Sequence, residues 1–265
     1  MRTQLPRLPV IVIVLSTLMG RSIAPALAQN VRPPTGNITA LPAGDHFEAV
    51  VMPSGDTLRY TIYVPPEMGE WAPVPLVVAL HYGSAAAPWI GGAYLHQLVK
   101  PALEESGAIL VAPDALAVPE ASYRTEGWTS SRNEEAVVWL TRQLMVAYPV
   151  EARKIVLTGY SAGGAGVWML AEKHPDLFSA ALSVSGSLPY QQLPKVKIPV
   201  QVIHSWNDEV ISAILVQGAV EQMNAAGADI DLRIISGVTH YQTSSFIEPL
   251  HDALPWLSSK LDQHR

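Results

Sequence analysis

Gly159-Tyr160-Ser161-Ala162-Gly163 sits where an apolar run, Lys154 to Gly159, meets a helical pattern, Ala162 to His174. Gly-x-Ser-x-Gly between a strand and a helix is an arrangement that presents a serine as a nucleophile. The reason is steric. The chain reverses so sharply that the serine takes a strained backbone conformation. Side chains two positions before and after it would collide, so glycine fills both places. The turn lifts the hydroxyl above the sheet edge. It also aims the Ala162 N–H, at a helix start, toward a developing oxyanion. The bland alternative is a Gly-rich turn whose serine only caps the helix.

A serine hydroxyl needs a base, and the base needs an orienting acid. On such an elbow the partners follow in the order acid, then histidine. Asp208 lies just past the apolar run Pro199 to His204, with Glu209 as a competitor beside it. Asp208 could also cap the helix expected over Ser212 to Ala226. His240 follows the run Ile230 to Ile235 in a Gly-containing loop. Of the eight histidines, His81 and His204 precede the acid, and His174 ends a helix. His251 and His264 lie on or beyond the last helix. His240 alone has both order and loop right. A second oxyanion donor is sought in His81-Tyr82-Gly83-Ser84, with the Gly83 N–H first and the Tyr82 N–H as alternative. Tyr82, Trp128 and Trp206 neighbour these segments and are candidate substrate-binding side chains, or else loop packing. Trp139 and Trp168 fall inside helices and read as core.

These groups need a frame. His46 to Met52 and Thr57 to Val64 alternate around Pro53-Ser54-Gly55-Asp56, as an antiparallel hairpin does. Pro75 to His81, Ala108 to Ala112, Lys154 to Gly159, Ala180 to Val184, Pro199 to His204 and Ile230 to Ile235 read as buried strands. Helical patterns lie between and after them, at Ala93 to Glu105, Asn133 to Tyr148, Ala162 to His174, Ser212 to Ala226 and Ser244 to Gln263. Alternation of this kind predicts an α/β fold. Its sheet is mostly parallel, of about eight strands, with helices on both faces and reactive loops at the strands' carboxyl ends.

The residues now resemble the α/β-hydrolase superfamily, over roughly Phe47 to Leu257. Leu80-His81-Tyr82-Gly83-Ser84 is similar to its Leu-His-Gly-x-Gly segment, and Gly159 to Gly163 matches its nucleophile elbow. His204 to Ile211 resembles His-Gly-x-x-Asp-x-x-Val, and Gly237 to His240 resembles Gly-x-x-His. Short exported esterases related to carboxylesterases, dienelactone hydrolases and polyhydroxyalkanoate depolymerases look most similar. Tyr82 and Ser205 stand where that pattern has glycine, and Ile211 where it has valine. The resemblance implies ester cleavage by Ser161, His240 and Asp208 through an acyl-enzyme, without cofactor or metal. A peptidase or acyltransferase with the same triad, and a non-catalytic binding protein, are the alternatives. The span Ser185 to Ile198, where such folds often insert a lid, is only 14 residues, so an open site without a cap domain is expected.

The chain begins as an export signal does. Arg2 and Arg7 precede the apolar stretch Leu8 to Met19, and Ala26-Leu27-Ala28 offers a small-x-small cleavage site. The stretch is too short to span a bilayer. Residues 1–28 are therefore read as a signal peptide, and 29–265 as one secreted or periplasmic catalytic domain. Residues 29 to 44 read as a surface lead-in, and Asn37-Ile38-Thr39 matches a glycosylation acceptor. The formal charge of −6 becomes three units more negative once Arg2, Arg7 and Arg21 leave. An acidic body disfavours nucleic acid and anionic lipid as partners, so the expected partner is an ester substrate. With no cysteine, disulfide frameworks, zinc ribbons and cysteine nucleophiles are excluded. Oligomeric state is not legible.

Overall fold

The computed structural model describes residues 36–66, 73–119 and 121–263. The expected signal peptide, residues 29–35 of the lead-in and His264 lie outside them. The strands are β1 (Gly44–Val51), β2 (Thr57–Val64), β3 (Val74–Leu80), β4 (Ile109–Pro113), β5 (Ala117–Val118), β6 (Ala121–Thr125), β7 (Val150–Tyr160), β8 (Ala180–Val184), β9 (Val200–Ser205) and β10 (Ile230–Ile235). The helices are α1 (Ile90–Tyr94), α2 (Lys100–Leu103), α3 (Ser131–Ala147), α4 (Ala162–Lys173), α5 (Ala213–Ala225), α6 (Ile247–His251) and α7 (Leu254–Gln263).

Eight strands form one sheet in the order β1-β2-β4-β3-β7-β8-β9-β10. β1 pairs β2 and β2 pairs β4 antiparallel, and every other neighbour is parallel. The continuous apolar runs follow from burial on both faces. In β3, Leu76, Val78 and Leu80 enter one core with side chains of α3, α4 and α5. Val77 and Ala79 enter the other, with Leu95, Leu98, Leu250 and Leu257. Helices therefore cover both faces, as the alternation predicts.

Two expected helices are broken by proline. The first runs from Ile90 to Ser106 but widens into a π turn over Leu95–Val99, where the Lys100 N–H bonds the Leu95 carbonyl. That turn directly precedes Pro101, which has no amide with which to continue the ladder. The stretch Ser244 to Gln263 is a 3₁₀ turn (Thr243–Phe246), then α6, then α7. Pro255 cannot donate to the His251 carbonyl, and the helix restarts there. The β5–β6 hairpin has no signature in the sequence, because that segment carries no clean alternation. Residues 185–198 form no helix, so no cap covers the sheet edge there. Ile38 of the lead-in is buried, a correction to its reading as wholly surface. No helix among the described residues is long and apolar enough to cross a membrane.

Candidate active site

β7 ends at Tyr160 and α4 begins at Ala162, so Ser161 alone makes the turn, at φ 55° and ψ −115°. A Cβ on Gly163 would lie 2.0 Å from the Leu80 carbonyl oxygen, and one on Gly159 would lie 2.5 Å from the Gly163 carbonyl. Only glycine permits this closeness. Ser161 stands at the N-cap of α4, yet its side chain makes no cap hydrogen bond. Its Oγ is instead 2.9 Å from His240 Nε2. His240 Nδ1 is 2.8 Å from Asp208 Oδ2. With a neutral ring, Oγ–H donates to Nε2 and Nδ1–H donates to Oδ2, which is the tautomer this geometry requires.

The strand order explains the meeting. Ser161, Asp208 and His240 follow β7, β9 and β10, and the strand between, β8, ends at Val184, so that Ser185 follows it directly. Ser185 is buried, takes φ 44°, and its Oγ–H donates to the same Asp208 Oδ2. Its oxygen also lies 3.4 Å from His240 Nδ1. The other Asp208 oxygen accepts the Val210 and Ile211 amides at 2.9 and 2.7 Å. Asp208 thus caps its own turn, while Ser212 takes the N-cap of α5. Burial alone would push the Asp208 carboxyl up. The bonds from His240, Ser185 and the two amides outweigh it and hold the group below its ordinary range. His204 Nε2 lies 3.8 Å from Asp208 Oδ2 but donates to the Ile211 carbonyl at 2.9 Å, and burial lowers its pKa.

Glu209, the competing acid, accepts the His240 backbone N–H at 3.0 Å. It holds the histidine's main chain while Asp208 holds the ring. The Tyr160 hydroxyl donates to the His240 carbonyl at 2.7 Å. Burial pushes that phenol up to about 12, so it remains a donor. Ser205, the departure from glycine, donates to the Val238 carbonyl at 2.6 Å and ties down the histidine loop. The roles of Ser185, Tyr160 and Glu209 escape the sequence because they depend on which strands are neighbours. The one available signal for Ser185 is its place at the end of a strand flanked by two reactive ones. Replacing it by alanine removes a donor from a buried carboxylate, a bond of about 1.5–3 kcal/mol. The expected result for Ser185→Ala is a kcat about 10- to 100-fold lower at nearly constant KM, read by steady-state kinetics on a soluble ester.

On the other side of Ser161, β3 ends and the chain continues through His81, Tyr82 and Gly83. Gly83 takes φ +77°, which favours glycine there. His81 is fully buried. Its Nδ1–H donates to the Tyr82 carbonyl at 2.8 Å, and Nε2 accepts the Ala115 N–H at 3.0 Å. Trp128, a candidate substrate contact, is 3% exposed, and its indole N–H donates to the His81 carbonyl at 2.8 Å. It packs beneath this segment and does not open onto the site, which corrects that reading. The Tyr82 hydroxyl donates to Gln97, and the ring stands edge-on to Tyr94 and Tyr160. Trp206 is 51% exposed. Trp168 is core, and Trp139 is half-buried against it. His174 bonds Glu134 at 2.9 Å, and His251 lies 3.3 Å from Glu105.

Burial lowers the His81 pKa from 6.5 to about 4. Protonation would set two donors, Nε2–H and the Ala115 N–H, against each other. The unfolded chain binds the proton first, so stability is full above pH 6.5 and is lost as pH falls toward about 4. The loss amounts to about 3 kcal/mol. Asp114, which burial pushes up to about 6, acts with the opposite sign over part of this window. The readout is therefore the difference between proteins. In urea unfolding, the stability of wild type relative to His81→Asn should fall by about 3 kcal/mol as pH drops from 6.5 to 4, and parallel profiles would contradict the assignment.

A nucleophile elbow on the fifth strand of such a sheet, served by groups from the following strand ends, is the construction of the α/β-hydrolases. Solved structures agree on the fold. Thermogutta terrifontis esterase 2 phosphorylated by paraoxon superposes with a TM-score of 0.64 at 18% identity, over 82% of this chain and 94% of that one. The chain belongs to the dienelactone hydrolase family, whose family model matches residues 119–252. A putative carboxymethylenebutenolidase of Aquifex aeolicus is 26% identical over 126 residues, 44% of this chain and 51% of that protein. A probable acetylxylan esterase A of Neosartorya fischeri is 33% identical over 144 residues, 51% of this chain and 36% of that protein. The chain spans about half the length, or less, of these curated relatives.

Proposed function

We propose that this chain is an exported serine hydrolase that cleaves carboxylic esters through an acyl-enzyme. The observation that carries the reading is Ser161, a helix N-cap residue whose hydroxyl meets His240 and makes no cap bond. Ser161 Oγ attacks the ester carbonyl as His240 Nε2 takes its proton. Asp208 keeps the ring oriented and stabilises the imidazolium. The Ala162 N–H and the Gly83 N–H, or that of Tyr82, receive the oxyanion. His240 returns the proton to the leaving alcohol. Water, deprotonated by the same ring, then releases the acid. Tyr82, whose ring stands edge-on to Tyr160, and the exposed Trp206 are the side chains we assign to substrate contact. Beside α4, a groove of about 440 Å³ lined by Ala165, Met169, Ser187 and Leu188 has room for one arm of the substrate.

Ester over amide is favoured by the names of the matched relatives, which include a feruloyl esterase B of Talaromyces funiculosus. Export rests on the N-terminal pattern of residues 1–28, with cleavage after Ala28. The test compares p-nitrophenyl acetate with acetyl and aminoacyl p-nitroanilides. The expected kcat/KM for the ester is at least ~10³-fold higher. Equal or faster anilide cleavage would make the protein a peptidase and end this reading.

A further inference from the structure

Among the described residues, six of the eight large hydrophobic side chains left exposed belong to one end of the sheet. They are Tyr190, Trp206, Val210, Ile214, Leu215 and Tyr241, on the segments that leave β8, β9 and β10. The triad rests on these same strand ends. Val210 gives its amide to Asp208. The Tyr241 ring stands edge-on to His240, with centroids 5.5 Å apart, and is itself 77% exposed. The Trp206 amide donates to the Ile235 carbonyl at 3.0 Å, bracing one segment against the next. Ile214, in the first turn of α5, is 73% exposed. A run of exposed apolar groups around a polar site is unfavourable in water unless something covers it.

Charge indicates what could cover it. Residues 186–194, 205–215 and 236–246 contain no lysine and no arginine. Their two acids are Asp208 and Glu209, and both are engaged inside the site, on His240 and its backbone. An anionic lipid headgroup would find no cation here, and the chain as a whole is acidic. An uncharged apolar surface meets no mismatch. No helix over residues 185–198 keeps such a surface from Ser161.

We infer that this apolar collar seats the protein on an uncharged, water-insoluble ester polymer, so that chain segments at the polymer surface reach Ser161 directly. The inference rests on the ester-cleaving reading above and extends it to a substrate class. The chemistry is unchanged: the polymer's ester C–O bond breaks, the acyl part passes to Ser161 and then to water, and the chain is left with one new alcohol and one new acid end.

The experiment uses polycaprolactone particles, p-nitrophenyl acetate, and vesicles of phosphatidylcholine with and without phosphatidylglycerol. Wild type, Ser161→Ala and the double variant Ile214→Ser/Leu215→Ser are compared. Wild type and Ser161→Ala should adsorb equally to the particles and weakly to both vesicles. The double variant should adsorb about 10-fold more weakly and cleave particles correspondingly more slowly, with p-nitrophenyl acetate turnover within about 2-fold of wild type. Three results would overturn the inference. These are unchanged adsorption of the double variant, equal loss on soluble and solid substrate, or wild-type preference for vesicles. Adsorption by Ser161→Ala needs no turnover. Particle binding by a wild type that cleaves no ester therefore counts against the ester-cleaving reading and leaves the adsorbing surface standing.

Discussion

Ser161→Ala is expected to lower ester turnover by at least ~10⁴-fold while leaving the fold in place. The hydroxyl sits on the elbow and against His240 Nε2, at 2.9 Å. Alanine keeps the backbone as it is, because Ser161 already holds φ 55° with a Cβ. What is lost in stability is one hydrogen bond, about 1 kcal/mol. For a chain of this size that moves Tm by roughly 2–4 °C. A variant with retained turnover would place the nucleophile elsewhere. One with a collapsed Tm would show that the serine is structural.

Gly163→Ala should do the opposite and damage the fold first. Its new Cβ would lie 2.0 Å from the Leu80 carbonyl oxygen and 2.7 Å from the carbonyl carbon. Both are backbone atoms at the end of β3, and Leu80 is paired with Gly159 of β7. No side chain can swing aside. Relief must come from parting α4 from β3 or from shifting the β3–β7 pairing, each of which disturbs the central sheet. We expect a loss of more than about 3 kcal/mol in urea unfolding, near the upper end of single-substitution effects. Ester turnover should fall as well, because Tyr82 and Gly83 continue directly from the displaced strand end. A loss under about 1 kcal/mol would mean that the elbow is looser than its contacts imply.

Much of this is legible in the sequence. Six apolar runs mark strands buried on both faces, and the alternating hairpin adds the two that complete the eight-stranded sheet. Order along the chain singled out Ser161, Asp208 and His240, and the structure brings these three together. Local sequence failed where a neighbour decides the outcome. Pro101 and Pro255 broke helices whose apolar pattern ran on past them. Trp128 reads as a substrate contact or as loop packing, and its buried indole bonding the His81 carbonyl makes it packing. Ser185 carries no motif at all, and its bond to Asp208 exists only because β8 lies between β7 and β9. Glu209 reads as a competing acid, yet its carboxylate accepts the His240 amide.

The central claim is that Ser161 is the atom that becomes acylated. Incubation with paraoxon followed by intact-mass and peptide mass spectrometry tests it most directly. The serine oxygen would attack phosphorus and expel p-nitrophenolate, leaving one diethylphosphoryl group per chain on the peptide that contains Ser161. Activity should fall in proportion, and Ser161→Ala should take up no label. Stoichiometric label on another residue, or full activity in a protein labelled at Ser161, would contradict the account.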